Sequence, residues 1–256
     1  MKFLFLLLQS LFGLMLLAQS PVDSIENYLK DKDDSTRSSS YINLSKALMF
    51  EDRQLSLEMA KRGEIYGKKA GKPALEGTSQ LFQAIQIEVI ASIDSSLKVF
   101  EKSFQTLDAI DHPYAFYPLQ NMVRLYSQKG YYASAMEFQI KSIRIAEKHN
   151  DSTSLKEAYS ALGYLYDRIG DYREALRWYY KSLNEFEWNN TERNYGVLQG
   201  RIGIAYDDLD MPDSAHYWNN RALDIFIAQE EWYDASIWCS NIGNTYIKQK
   251  DWQKAE

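Results

Sequence analysis

The residues able to do chemistry are few and badly placed for it. The 256-residue chain has three histidines, His112, His149 and His216, and one cysteine, Cys239. Three scattered histidines cannot supply a histidine metal cluster, and one thiol supplies neither an intramolecular disulfide nor a cysteine zinc site. No H-E-x-x-H, C-x-x-C or G-x-S-x-G run occurs, so the spacings that place a zinc, a redox pair or a nucleophile elbow are missing. Two adjacent carboxylate pairs, Asp33-Asp34 and Asp207-Asp208, stand out. Neighbouring residues on a helix point apart, so neither pair is expected to share a proton as an acid–base dyad does.

Phosphate chemistry fares no better. Gly63-x-x-x-Gly67-Lys68 and Gly67-x-x-x-Gly71-Lys72 are one residue short of a phosphate loop, and Lys69 or Pro73 stands where a Mg²⁺-binding hydroxyl is needed. Gly196-x-x-x-Gly200-x-x-Gly203 lies in a helical pattern and reads as close helix packing. Cys239 reads as a small buried apolar residue. The charge balance, 29 Lys+Arg against 35 Asp+Glu for a net −6, gives no basic footprint for nucleic acid. No metal, no cofactor and no catalysis are expected. The remaining possibility of an enzyme is a hydrolase site in the least regular stretch, residues 44–110.

The elements that would carry binding residues begin after a targeting segment. Met1–Ala18 reads MKFLFLLLQSLFGLMLLA, a positive start, an apolar run and a small residue at its end. This is the pattern of a signal peptide cleaved near Ala18, which predicts an exported, periplasmic or secreted mature chain. The run is too short for a comfortable membrane span, and no second apolar run of spanning length follows. Residues 19–36, with the charged Asp31–Asp34 run, and the Ser38-Ser39-Ser40 stretch read as a solvated leader.

Beyond it the sequence keeps a step of about forty residues. Gly163, Gly203 and Gly243 recur at that step, as do Tyr166, Tyr206 and Tyr246, and Ala135, Ala175, Ala215 and Ala255. Val123 and Tyr126 occupy the Gly and Tyr places one step earlier, and Ser96 and Ser56 continue the alanine column. In Glu157–Glu187, Tyr159, Leu162, Gly163, Tyr166 and Ile169 share a helical face. Gly170 then fits a C-cap needing positive φ. Asp171 with Glu174 starts a second helix, whose apolar face carries Ala175, Trp178, Tyr179, Leu183 and Phe186. Gly163 and Ala175 are the small residues that let the two backbones approach. All five prolines fall at boundaries in this register.

L-G-x-x-Y followed by G-D-Y-x-x-A resembles the tetratricopeptide repeat, a 34-residue pair of helices. About six further residues, such as Asn150–Leu155 and Asn190–Tyr195, are expected to separate successive cores. The resemblance implies an all-α fold, a right-handed superhelical solenoid of antiparallel helix–turn–helix hairpins with about forty residues per unit. Two degenerate hairpins are expected over 37–115, with Leu44 and Ala84 at the glycine place. An array follows over 116–256, with cores near 116–149, 156–189, 196–229 and 236–256. The last core stops inside its second helix, which predicts that the sequence continues beyond Glu256.

A groove lined by the first helix of each hairpin is what the resemblance implies for function. Transferred by position, the lining is Gln120, Arg124, Ser160, Tyr164, Asp167, Arg168, Ile204, Asp207, Asp208, Asn244 and Lys248, mixed in charge and without the Lys/Asn set of repeats that clamp a terminal carboxylate. The expected partner is a protein or peptide. The expected role is a non-catalytic module, the sensory or adaptor part of a signalling protein, similar to the extracytoplasmic repeat region of bacterial sensors. A free-standing scaffold for an envelope complex is the second expectation.

Overall fold

A computed structural model describes residues 21–189 and 193–255. The expected signal segment, 1–18, lies outside the described residues, as does part of the expected Asn190–Tyr195 linker. Every regular element among the described residues is helical, as the forty-residue pattern requires. The chain divides into two compact units at His112 and Pro113.

The first unit contains α1 (Pro21–Leu29), α2 (Asp34–Leu48), α3 (Arg53–Lys69), α4 (Pro73–Ile90) and α5 (Ile93–Asp108). From α2 to α5 each helix packs chiefly against its neighbours in the chain. The leader expected to be solvated is folded instead. Ile25 and Leu29 of α1 are buried against Tyr41, Leu44 and Met59. Asp33, read as part of a charged leader, caps α2 by accepting the Thr36 backbone N–H at 2.9 Å. Ser38 is fully buried, and its hydroxyl donates to the Gly63 carbonyl at 2.7 Å. Polar composition hid this helix because its buried serines are paired, so their burial carries little penalty.

The same device explains why these hairpins look degenerate. Ser56, at the alanine place, is fully buried and donates to the Ser45 carbonyl at 2.8 Å. Ser96, one step on, is fully buried and donates to the Ile93 carbonyl. Ser103 donates to the Gly77 carbonyl at 2.8 Å. A hydroxyl aimed at a carbonyl is nearly as compact as the methyl it replaces.

The second unit begins with a short 3-10 turn, Pro113–Ala115, and contains α6 (Phe116–Gln128), α7 (Tyr132–Lys148), α8 (Ser152–Arg168), α9 (Tyr172–Glu185), α10 (Arg193–Asp208), α11 (Pro212–Ala228), α12 (Trp232–Lys248) and α13 (Trp252–Ala255). These are successive antiparallel hairpins, again packed neighbour to neighbour. The residues beyond thirty-four are used differently at the two expected linkers: residues 186–189 stand outside helix after α9, and Arg193 to Tyr195 already belong to α10. At Asn150–Leu155 only two residues lie outside helix, because Asp151 caps α8 by accepting from the Ser154 N–H at 3.0 Å and from its hydroxyl at 2.6 Å. At that junction the extra residues lengthen the helices.

The repeat columns have distinct jobs. At Gly163 an added Cβ would lie 2.5 Å from Tyr179 Cδ1 and 3.1 Å from the Ala175 carbonyl oxygen. Tyr179 and Ala175 are fully buried, so only glycine lets α8 and α9 come this close. At Gly203 an added Cβ would strike the Asn219 side chain, whereas at Gly243 it would meet only the Ala255 carbonyl, at 3.3 Å. Tyr166 packs into the clusters on both sides of its hairpin, one centred on Leu162 and Leu165 and the other on Tyr179 and Ile202. Tyr206 shares a 2.9 Å hydroxyl–hydroxyl hydrogen bond with Tyr180. Tyr246 packs on His216 with ring centres 4.0 Å apart, which makes that histidine a packing residue. Ala215 is fully buried, as Ala135 and Ala175 are.

Each first helix ends the same way. Gly130, Gly170, Asp210 and Lys250 have φ of 78, 83, 56 and 61°. The N–H of the residue after each donates to the carbonyl of Tyr126, Tyr166, Tyr206 or Tyr246, at 2.9 to 3.0 Å, the six-to-one bond of a Schellman turn. Asp171 then caps α9 by accepting from the Glu174 N–H at 3.2 Å, while the Glu174 side chain pairs with Arg177.

Cys239 departs from expectation: it is exposed. The inward stripe of α12 runs through Ala235, Trp238 and Thr245. One residue on from Trp238 turns the side chain by roughly 100°, out of the stripe and into solvent.

Candidate functional site

The first helices of three successive hairpins in the second unit line one concavity of about 650 Å³. α6 contributes Gln120 and Arg124, α8 contributes Tyr164 and Arg168, and α10 contributes Arg201. Lys129, in the turn after α6, and Tyr132, opening α7, complete the rim. Four of the eleven expected groove residues therefore meet here: Gln120, Arg124, Tyr164 and Arg168. Gln120 has a packing role as well, donating to Gln139 Oε1 at 3.1 Å and to Ser142 Oγ at 2.6 Å.

The cations are held in place by tyrosine. Arg168 donates to the Tyr132 hydroxyl from Nε at 3.2 Å and from Nη2 at 3.0 Å, and its guanidinium lies 5.7 Å from the centre of that ring. Arg201 lies over the Tyr164 ring at 4.5 Å, a cation–π distance. Arg124 reaches Asn121 Oδ1 at 3.4 Å. Burial raises the Asp167 carboxyl, and the Asp208 carboxylate raises it further, against the opposing pull of Arg201 and Arg168.

A second, smaller concavity of about 370 Å³ lies one step along, lined by Ile204, Asp207, Asn244 and Lys248 together with Asn219 and Asn241. Four more expected residues meet there. Lys248 pairs with Asp207 and stands 3.9 Å from Asp208. The adjacent carboxylates, expected to diverge, thus face one shared ammonium. The carboxyl of Asp208 is raised, by burial and by Asp207, with Lys248 opposing. Ser160, Asp167 and Asp208 are not among the residues lining either concavity.

Sequence reasoning missed Arg201 and Lys129. A signal for Arg201 existed: it stands one forty-residue step after Ala161, which lines the same concavity. Lys129 lies in a turn, where helical periodicity offers no face to read.

The least regular stretch has its own polar convergence. Glu64 accepts hydrogen bonds from Gln80 Nε2 at 3.0 Å, Gln83 Nε2 at 2.7 Å and Lys102 Nζ at 2.7 Å, and pairs with Lys68 at 2.9 Å. Burial pushes this carboxyl up, but the bonds from Lys102, Gln80, Gln83 and Lys68 outweigh it and bring it to about 2. A carboxylate so fully satisfied is a poor general base. Of the glycines spaced almost as a phosphate loop, Gly67 is a packing residue, since an added Cβ would lie 2.9 Å from the Glu76 backbone nitrogen, whereas Gly71 has a positive φ and open space; in the other glycine run, read as helix packing, a Cβ on Gly200 would strike Trp238. Among the described residues no group of three or more His, Cys, Asp or Glu is arranged to hold a metal, and no helix is long and apolar enough to cross a membrane.

Family models of the tetratricopeptide repeat match residues 118–149 and 158–185. No curated protein matches the sequence. Among solved structures, BtubC from P. vanneervenii is 15% identical, with 88% of this chain and 86% of that one covered and a TM-score of 0.64. A signal transduction ATPase with numerous domains from Pyrococcus horikoshii, described as having a tetratricopeptide repeat sensor, is 13% identical with a TM-score of 0.76. The match covers 92% of this chain and only 37% of that protein. The apo form of RapI is 14% identical, covering 100% of this chain and 94% of that one, with a TM-score of 0.70. At these identities the likeness is one of fold. Residues 118–149 and 158–185 are thus tetratricopeptide repeats within an all-α array of hairpins whose structural neighbours are solenoids of the same kind, a fold that typically serves as a non-catalytic scaffold for protein interaction.

Proposed function

We propose that this chain is a non-catalytic module that binds a protein or peptide along the first-helix face of its second unit, as the sensory or adaptor part of an exported signalling protein. The observation that carries the reading is the concavity built by α6, α8 and α10, into which Arg124, Tyr164 and Arg168 project from successive repeats. A wall made of equivalent positions on stacked hairpins suits an extended segment, since each repeat can contact the next stretch of the same partner. The neighbour with a repeat sensor supports the sensory part by likeness of fold alone.

An array of short peptides of varied sequence, probed with the folded chain, tests the binding. Tyr164→Ala should retain the helical spectrum and lose most of the captured peptides. Unchanged capture by that variant would refute the location. Export rests on Met1–Ala18 and is tested by fusing the chain to a reporter active only outside the cytoplasm. A silent reporter would refute it.

A further inference from the structure

Within a chain of net charge −6, one concavity collects four cations. Arg124, Lys129, Arg168 and Arg201 all line it, and no carboxylate does. Lys129 and Arg168 sit at the C-terminal ends of α6 and α8, where a cation complements the helix dipole with no ligand needed. Arg201 has no such excuse, since it lies in the middle of α10. Its guanidinium lies 4.5 Å from the centre of the Tyr164 ring, and Arg168 is held by donating from Nε and Nη2 to the Tyr132 hydroxyl. Planar guanidinium groups fixed at their bases are suited to two-pronged recognition of carboxylates.

The sign then reverses along the same face. Asp207 lines the next concavity and Asp208 stands beside it, with Lys248 shared between them. The Asp167 carboxyl feels the charges of both Arg201 and Arg168. It does not line the concavity.

We propose that the α6–α8–α10 concavity binds the side-chain carboxylates of an acidic peptide segment, and that the aspartates of the next repeat repel those carboxylates and so fix the direction in which the segment lies. The inference rests on the binding module proposed above and names its partner class. Dispersed carboxylates fit better than one phosphate. The cations come from three helices and the turn after α6, a spread that suits carboxylates on successive side chains, and the phosphate arm of the test below separates the two.

The probe is a fluorescent peptide of alternating Glu and apolar residues, with Gln replacing every Glu in its control, followed by anisotropy. The acidic peptide should bind at least about tenfold tighter than its Gln control, and the difference should shrink as salt is added. Arg201→Gln and Arg124→Gln should each weaken it several-fold while keeping the helical spectrum and melting temperature. Lys248→Gln removes the cation that offsets the two aspartates and should weaken it slightly, whereas Asp207→Asn/Asp208→Asn should tighten it. Equal binding of the Gln control, or indifference to Arg201→Gln, would overturn the inference. So would displacement by inorganic phosphate at concentrations where acetate has no effect, which would identify a phosphate site. Capture of neutral or basic peptides lost on Tyr164→Ala would leave the binding module standing and remove this inference alone. Absence of any peptide sensitive to Tyr164→Ala would remove both.

Discussion

The glycine column makes a prediction in which most unknowns cancel. Gly163 and Gly243 hold the same place in two repeats, each inside a first helix. Replacing either by alanine gains the same helix propensity, about 0.8–1 kcal/mol. The surroundings differ. At Gly163 the new methyl would sit 2.5 and 2.6 Å from two carbons of Tyr179 and 3.1 Å from the Ala175 oxygen. Tyr179 is fully buried, so its ring has nowhere to go, and overpacking of this kind costs about 1–3 kcal/mol. At Gly243 the nearest contact is 3.3 Å, to a single carbonyl oxygen. Gly243→Ala should therefore stabilise by up to about 1 kcal/mol, and Gly163→Ala should lie about 1–3 kcal/mol below it. Urea unfolding followed by helical circular dichroism reads both. Combining Gly163→Ala with Tyr179→Leu, which makes room, should recover part of the loss. Equal effects of the two alanines, or a Gly163→Ala variant more stable than Gly243→Ala, would refute the packing account.

Three further outcomes are expected. Asp234, almost fully buried, accepts from Arg193 at 2.7 and 3.0 Å, tying α10 to α12; because Arg193 is half exposed, Asp234→Ala should cost only about 1 kcal/mol in a denaturant titration. The Glu64 carboxyl is depressed to about 2 in the folded chain, so its contribution is fully present above the unfolded carboxylate range near 4.5 and is lost as pH falls towards 2. Glu64→Gln should thus flatten stability against pH across that window, and parallel acid limbs would contradict the hydrogen-bond network. Cys239, being exposed, should react with a thiol reagent in the native chain as fast as in urea, and protection in the native chain would show that α12 is turned differently.

What was legible in the sequence follows from which positions are sterically unique. The Gly163, Tyr166, Gly170 and Ala175 set could be read because each answers a demand few residues meet: close approach, a shared filler between clusters, positive φ, a small contact. Where the same demand is met by chemistry of another kind, the pattern dissolved. Buried serine, silenced by a carbonyl partner, made the start of α2 look like solvated leader at Ser38 and blurred the alanine column at Ser56 and Ser96. Asp210 and Lys250 adopt the left-handed turn conformation without glycine, a strain of about 1–2 kcal/mol that only the bond to the tyrosine carbonyl and the packed hairpin offset. The groove was half legible. Residues on one helix face could be transferred by position, but Arg201 lines the same concavity as Arg124 only because the three helices between them set the spacing.

Nearly all the packing in each unit joins segments adjacent along the chain, and this bears on how the protein reaches its native state. Little loop entropy must be lost before a hairpin begins to be rewarded, which places such chains among rapid folders. A hairpin emerging from synthesis can settle before its successor exists, and damage at one rung should loosen that rung and its neighbours while distant amides keep their protection from exchange.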